Sequence, residues 1–131
     1  MKDPTVHLGE IGQIAITAGN LEEAKTFYRD VLGIPFLFEA GAMAFFQCGA
    51  VRLLIGAAEP GKPSAPSAAT VLYFRVSDLQ ATAAALHEKG LAFVQEPHLV
   101  ARMADHDLWL AFIRDPAGST LGLMSEVPRQ E

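Results

Sequence analysis

The residues able to do chemistry in this chain are few. His106 lies between Asp105 and Asp107 in RMADHD, and an imidazole beside carboxylates suits a general acid or base. Neighbours on an extended chain point opposite ways, so neither aspartate need touch the ring. His98 follows Pro97 in the same polar stretch, 97–107, which also carries Arg102. Gln13 can donate and accept hydrogen bonds, Tyr73 can donate one, and Arg75 can clamp a carboxylate or phosphate. Phe46, Trp109 and Met124 offer apolar bulk for a core or a pocket wall. His7 and His87 read as surface residues. Cys48 has only Arg52 as a nearby cation, so a reactive thiolate is not supported.

The elements that must hold these residues come in a repeat. Residues 108–126 read as two strands joined by Asp115-Pro116-Ala117-Gly118, which fits a type I turn. Residues 43–56 read as an earlier copy, with Gly49 placed on Gly118. A strand and a helix precede each hairpin: 11–18 leads to an Asn20 cap, and 70–76 leads to an Asp78 cap. Gly33 and Gly90 stop the two helices. The chain is thus one βαβββ unit written twice. With a period of two, Gln13, Ala15 and Thr17 share one strand face, and Val71, Tyr73 and Arg75 share the matching face of the second copy. The first module spans about 10–57 and the second about 70–126. The proline-rich stretch at about 58–69 is a linker, and 97–107 reads as an extended, His-bearing insertion.

Composition narrows the partners. The 131 residues are half hydrophobic, enough for a real core, and the formal net charge is -5. No basic cluster favours nucleic acid or an anionic membrane. One cysteine excludes an internal disulfide framework and points to the cytoplasm. No signal peptide or membrane-spanning run is apparent.

The strand, the Asn/Asp-Leu helix starts, Phe27-Tyr28, Val31-Leu32-Gly33 and the Asp115–Gly118 turn together resemble the vicinal oxygen chelate superfamily. That group includes glyoxalase I, bleomycin-resistance proteins and extradiol dioxygenases. The resemblance implies an α+β fold in which two paired βαβββ modules curl a mixed sheet around a pocket, often completed in a homodimer. It also implies a divalent metal held from four symmetric positions. Here those positions fall on Gln13, Leu53, Val71 and Gly122. One amide and three groups without a donor side chain cannot replace the water shell of a dication, so no metal or other cofactor is expected.

Three functions follow as expectations. The first is a lyase or isomerase acting on a small carbonyl or enolisable compound, with Gln13 and Tyr73 polarising an oxygen while His106 moves a proton. The second is a protein that sequesters an aromatic or drug-like ligand. The third is a metal enzyme with relocated ligands such as Gln13, His98 and His106. Arg75, Arg102, His98, Phe46, Trp109 and Met124 are the expected ligand contacts.

Overall fold

The structure, a computed structural model, describes residues 6–57 and 70–129. The linker expected at about 58–69 lies outside the described residues. The first module comprises β1 (Gln13–Ala18), α1 (Leu21–Thr26) with a π-helical continuation (Phe27–Val31), β2 (Phe36–Ala40), β3 (Met43–Cys48) and β4 (Val51–Ala57). The second comprises β5 (Leu72–Arg75), α2 (Leu79–Glu88), β6 (Phe93–Arg102), β7 (His106–Arg114) and β8 (Thr120–Pro128). Each module forms its own mixed four-stranded sheet, in the orders β1-β4-β3-β2 and β5-β8-β7-β6. In each, the first strand runs parallel to the last. The repeated βαβββ pattern and the α+β class read from the sequence are the architecture observed.

Local chemistry sets the helix ends. Asn20 Oδ1 accepts from the Glu23 amide at 3.0 Å, and Asp78 Oδ1 accepts from the Ala81 amide at 3.0 Å. Both caps satisfy an N–H that the first helical turn leaves without a partner. Gly33 and Gly90 close the helices at φ 74° and 85°, a region that glycine enters without Cβ strain.

Alternation decides what each sheet buries. Ile14, Ile16, Leu53, Ile55 and Phe46 face inward in the first module, and Ile113, Leu121 and Leu123 do so in the second. These inward faces share one core with α1 and α2. The opposite faces, carrying Gln13, Phe38, Met43 and Tyr73, remain open.

Among the described residues, two polar ties join the modules. The Tyr28 hydroxyl, fully buried, donates to Asp115 Oδ2 at 2.7 Å. Lys89 Nζ donates to the Asp30 and Val31 carbonyls at 2.8 and 3.2 Å, so a cation on one helix caps the C-terminal end of the other. Asp115 Oδ1 meanwhile accepts from the Ala117 and Ser119 amides, and the Gly118 amide donates to the Asp115 carbonyl at 2.9 Å. The turn expected at 115–118 therefore forms, and its first residue also clasps the other module.

Two expectations need correction. The stretch 97–107 is not a free insertion: 97–102 belongs to the ten-residue strand β6, and only 103–105 forms a turn. β6 is an edge strand with three register irregularities, which accommodate Pro97 and the mismatched alternation. The repeat register is also off by one in the hairpins. Ile14 pairs with Leu53 and Leu72 pairs with Leu121, all four on the core side. Leu54, not Leu53, is therefore the counterpart of Gly122. Gly49 sits in a two-residue turn and Gly118 in a five-residue one, so superposing the glycines slips the strand and flips every side chain.

Candidate functional site

A cleft of about 570 Å³ runs along the seam between the modules. Its walls are β5, the start of β4 and the β3–β4 turn, with Val71, Tyr73, Arg75 and Met124 on one side and Cys48, Gly49 and Val51 on the other. A second hollow of about 390 Å³ adjoins it through Cys48, Gly49, Phe74 and Arg75. Both have the size and apolar walls of a small-molecule site. Burial raises the Cys48 thiol, which keeps it protonated and unreactive as a nucleophile.

Tyr73 packs against the sheet in the cleft wall. It pairs in register with Gly122, which pairs in turn with Phe112. The Tyr73 ring sits over the glycine: a Cβ there would meet Tyr73 Cδ2 at 2.5 Å. The ring also meets Phe112 edge-on, with centroids 5.8 Å apart. Tyr73 thus covers a bare stretch of backbone, and at 48% exposure its hydroxyl can still reach a ligand.

Arg75 begins a chain of charges across the same face. Its Nη2 donates to Glu126 Oε1 at 2.8 Å, and Glu126 Oε2 lies 3.0 Å from His106 Nε2. His106 Nδ1 lies 2.7 Å from Asp105 Oδ1. That contact holds the Asp105 carboxyl below its ordinary range. The adjacent aspartate and histidine do touch, because Asp105 sits in the turn rather than in the strand. Each His106 nitrogen faces a carboxylate, an arrangement that suits relaying a proton more than capturing one from a substrate. Glu126 is the residue that sequence reasoning missed. Its signal was available, since Gly122, Met124 and Glu126 alternate onto one face of β8.

The other expected residues are dispersed. Gln13 lies on β1, in the opposite module from Tyr73 and His106, and is absent from the cleft walls. His106 contacts Glu126, four residues along β8 from Gly122, so roughly 13 Å of strand separates it from the Tyr73 station. Gln13, Tyr73 and His106 therefore do not converge within one chain. Met124 and Arg75 line the cleft as expected. Phe46 does not line a pocket: it is fully buried in the core, edge-on to Phe36 at 5.5 Å. Trp109 packs on the core side, where it borders a shallow groove beside α2. His98 is half-buried on β6 with Nδ1 2.8 Å from the Glu96 carbonyl, and Arg102 is exposed at the strand's end.

The four symmetric metal positions do not fit an ion. With the register corrected they hold Gln13, Leu54, Val71 and Gly122, and the Tyr73 ring occupies the space above the last. Only the amide of Gln13 could donate. Among the described residues, no three His, Cys, Asp or Glu side chains gather as a metal site would require.

Residues 10–123 match the family model of the Glyoxalase/Bleomycin resistance protein/Dioxygenase superfamily. The comparison with curated proteins gives no match. Among solved structures the chain is similar to lactoylglutathione lyase from Agrobacterium tumefaciens, at 22% identity and TM-score 0.71, covering 91% of this chain and 95% of that one. It is similar to a virulence protein from Salmonella typhimurium at 19% identity and TM-score 0.75, covering 93% and 100%. A glyoxalase/bleomycin resistance protein/dioxygenase from Alicyclobacillus acidocaldarius aligns at 15% identity and TM-score 0.71, covering 89% and 91%. At these identities the likeness is one of fold.

Proposed function

Because the chain belongs to the glyoxalase/bleomycin resistance protein/dioxygenase superfamily, we propose that it holds a small organic molecule in the seam cleft without a metal ion. The observation that carries this reading is the convergence of Tyr73, Arg75 and Met124 on a cleft of about 570 Å³. Apolar walls supply the binding energy, and a phenol with a guanidinium orients one oxygen-bearing group, a carbonyl or a carboxylate. Sequestration of an unchanged ligand follows directly, since it needs a shaped cleft and no free base.

The second reading, a lyase or isomerase acting on a small carbonyl or enolisable compound, is favoured by the Arg75–Glu126–His106–Asp105 chain. In that case Glu126 exchanges the substrate proton and His106 passes it to solvent-exposed Asp105. A homodimer is part of the proposal: Phe38, Met43 and Tyr73 leave the open sheet faces apolar in the single chain, and a second copy roofs them. The cytoplasm is the proposed location, supported by the lone cysteine.

The test is calorimetric titration of a panel of small aldehydes, ketones and carboxylates, with each compound recovered and identified by mass spectrometry. Arg75→Gln and Tyr73→Phe are each expected to weaken the best binder by about tenfold, the scale of one charge-assisted hydrogen bond. Binding indifferent to both substitutions refutes the cleft as the site. Recovery unchanged supports sequestration; conversion that Glu126→Gln abolishes supports catalysis.

A further inference from the structure

The seam cleft does not end at Tyr73 and Arg75. The hollow of about 390 Å³ adjoins it, and Cys48, Gly49, Phe74 and Arg75 line both. β5 is the outer strand of its sheet, so the junction lies at a free strand edge. Alternation sends Tyr73 and Arg75 to the open face and Phe74 to the core face. A ligand with its head at Tyr73 therefore reaches the hollow by rounding the edge of β5, without crossing the sheet. The two chambers differ in chemistry. Leu32, Ile34, Val76, Leu86 and Leu123 wall the hollow. Of its polar side chains, Gln47 is tied to the Gly49 carbonyl at 2.7 Å, while Thr82 and the protonated Cys48 thiol carry no charge. Among the described residues Arg75 is the only charged side chain on this wall, and it stands at the junction. Glu126 Oε1 takes its Nε and Nη2, at 3.1 and 2.8 Å, which among the described residues leaves Nη1 for a ligand.

We propose that the seam takes a straight-chain alkyl carboxylate, its head at the Tyr73 hydroxyl and the Arg75 guanidinium and its tail around β5 in the second hollow. The inference rests on the small-molecule role proposed above and narrows the ligand to an amphiphile. A charged head belongs at the junction, because an anion carried further in would lose its water with no donor to replace it. An apolar tail belongs in the hollow, where each buried methylene is worth about fourfold in affinity. The path selects a flexible chain, because the ligand must bend past the Cys48–Gly49 turn and Phe74 to enter. A rigid cage of similar apolar area cannot follow that path.

The test titrates the full-length protein with butanoate, hexanoate, octanoate and adamantanecarboxylate, all below micellar concentration, and maps amide shifts with octanoate. Affinity is expected to rise about fourfold per methylene from butanoate to octanoate, with adamantanecarboxylate binding no tighter than butanoate. Octanoate is expected to shift Leu32, Ile34 and Thr82 as well as Tyr73 and Arg75. Thr82 lines the hollow and not the cleft, so Thr82→Trp is expected to bring octanoate down to the affinity of butanoate and leave butanoate unchanged. The chain-length series and the shift map are read on the unaltered protein, so they decide even if Thr82→Trp fails to fold. Affinity independent of chain length, octanoate shifts confined to Tyr73, Arg75 and Met124, or equal losses for both acids in Thr82→Trp overturns the tail site while the cleft reading stands. Acids that fail where the carbonyl panel binds have the same meaning, and failure of acids and panel alike overturns both.

Discussion

Replacing Tyr28 by phenylalanine isolates the clasp between the modules. The substitution keeps the ring and its edge-on contact with Phe27 at 5.4 Å, and removes one hydroxyl. Asp115 Oδ1 retains its two backbone donors, but Oδ2 loses the only side-chain donor it has among the described residues, in a site 7% exposed. Leaving a buried carboxylate oxygen bare costs about 2 kcal/mol. For a chain of this length that corresponds to a melting temperature lower by about 7 °C. Urea denaturation followed by circular dichroism measures the change, and the slope should stay constant because the same surface is exposed. A loss below about 0.5 kcal/mol, within the range of an ordinary surface change, would refute the clasp. The pH dependence gives an independent check. Burial first, and then the negative charge of Asp115, push the Tyr28 phenol well above its ordinary range. Above pH ~10 the unfolded chain sheds this proton while the folded chain keeps it, so the wild type loses up to about 1.4 kcal/mol per pH unit there. Tyr28→Phe lacks that component, and its stability should decline less steeply across the same range.

Three further outcomes follow. Gly122→Ala forces the Tyr73 ring off the sheet and is expected to cost about 1 kcal/mol in urea denaturation, whereas in a Tyr73→Ala background the same change should cost almost nothing; equal costs would break the proposed coupling. Lys89→Met removes the donor to the Asp30 and Val31 carbonyls and should lower stability by roughly 0.5–1 kcal/mol, read by the same denaturation, with no effect on ligand titration. Elemental analysis of protein purified without chelator should find less than about a tenth of an equivalent of any transition metal, and a stoichiometric ion would contradict the donor argument at Gln13, Leu54, Val71 and Gly122.

Much of this molecule is legible in its sequence because short-range signals and long-range packing agree. The caps at Asn20 and Asp78, the glycine stops and the 115–118 turn each act within a few residues, and the inward and outward faces follow from alternation. Registration was harder. Gly49 and Gly118 look equivalent by residue type, yet they serve turns of different length, and only strand pairing reveals that Leu54 faces the way Gly122 does. Contacts between distant strands were hidden for a related reason. Nothing local ties Glu126 to Arg75 and His106, or Arg52 to Phe45, because these residues meet only across paired strands. The stretch 97–107 misled through its polarity, which on an edge strand with bulges does not mean a loop.

The tyrosine lying on Gly122 also gives the sequence a direction of travel. A carboxylate introduced at position 122 while the ring remains would meet that ring, so a donor is placed there by shrinking residue 73 first and enlarging residue 122 second. The reverse order passes through an intermediate that carries the crowding cost of about 1 kcal/mol expected for Gly122→Ala. Two adjacent strands thereby make the order of substitutions matter as much as their number.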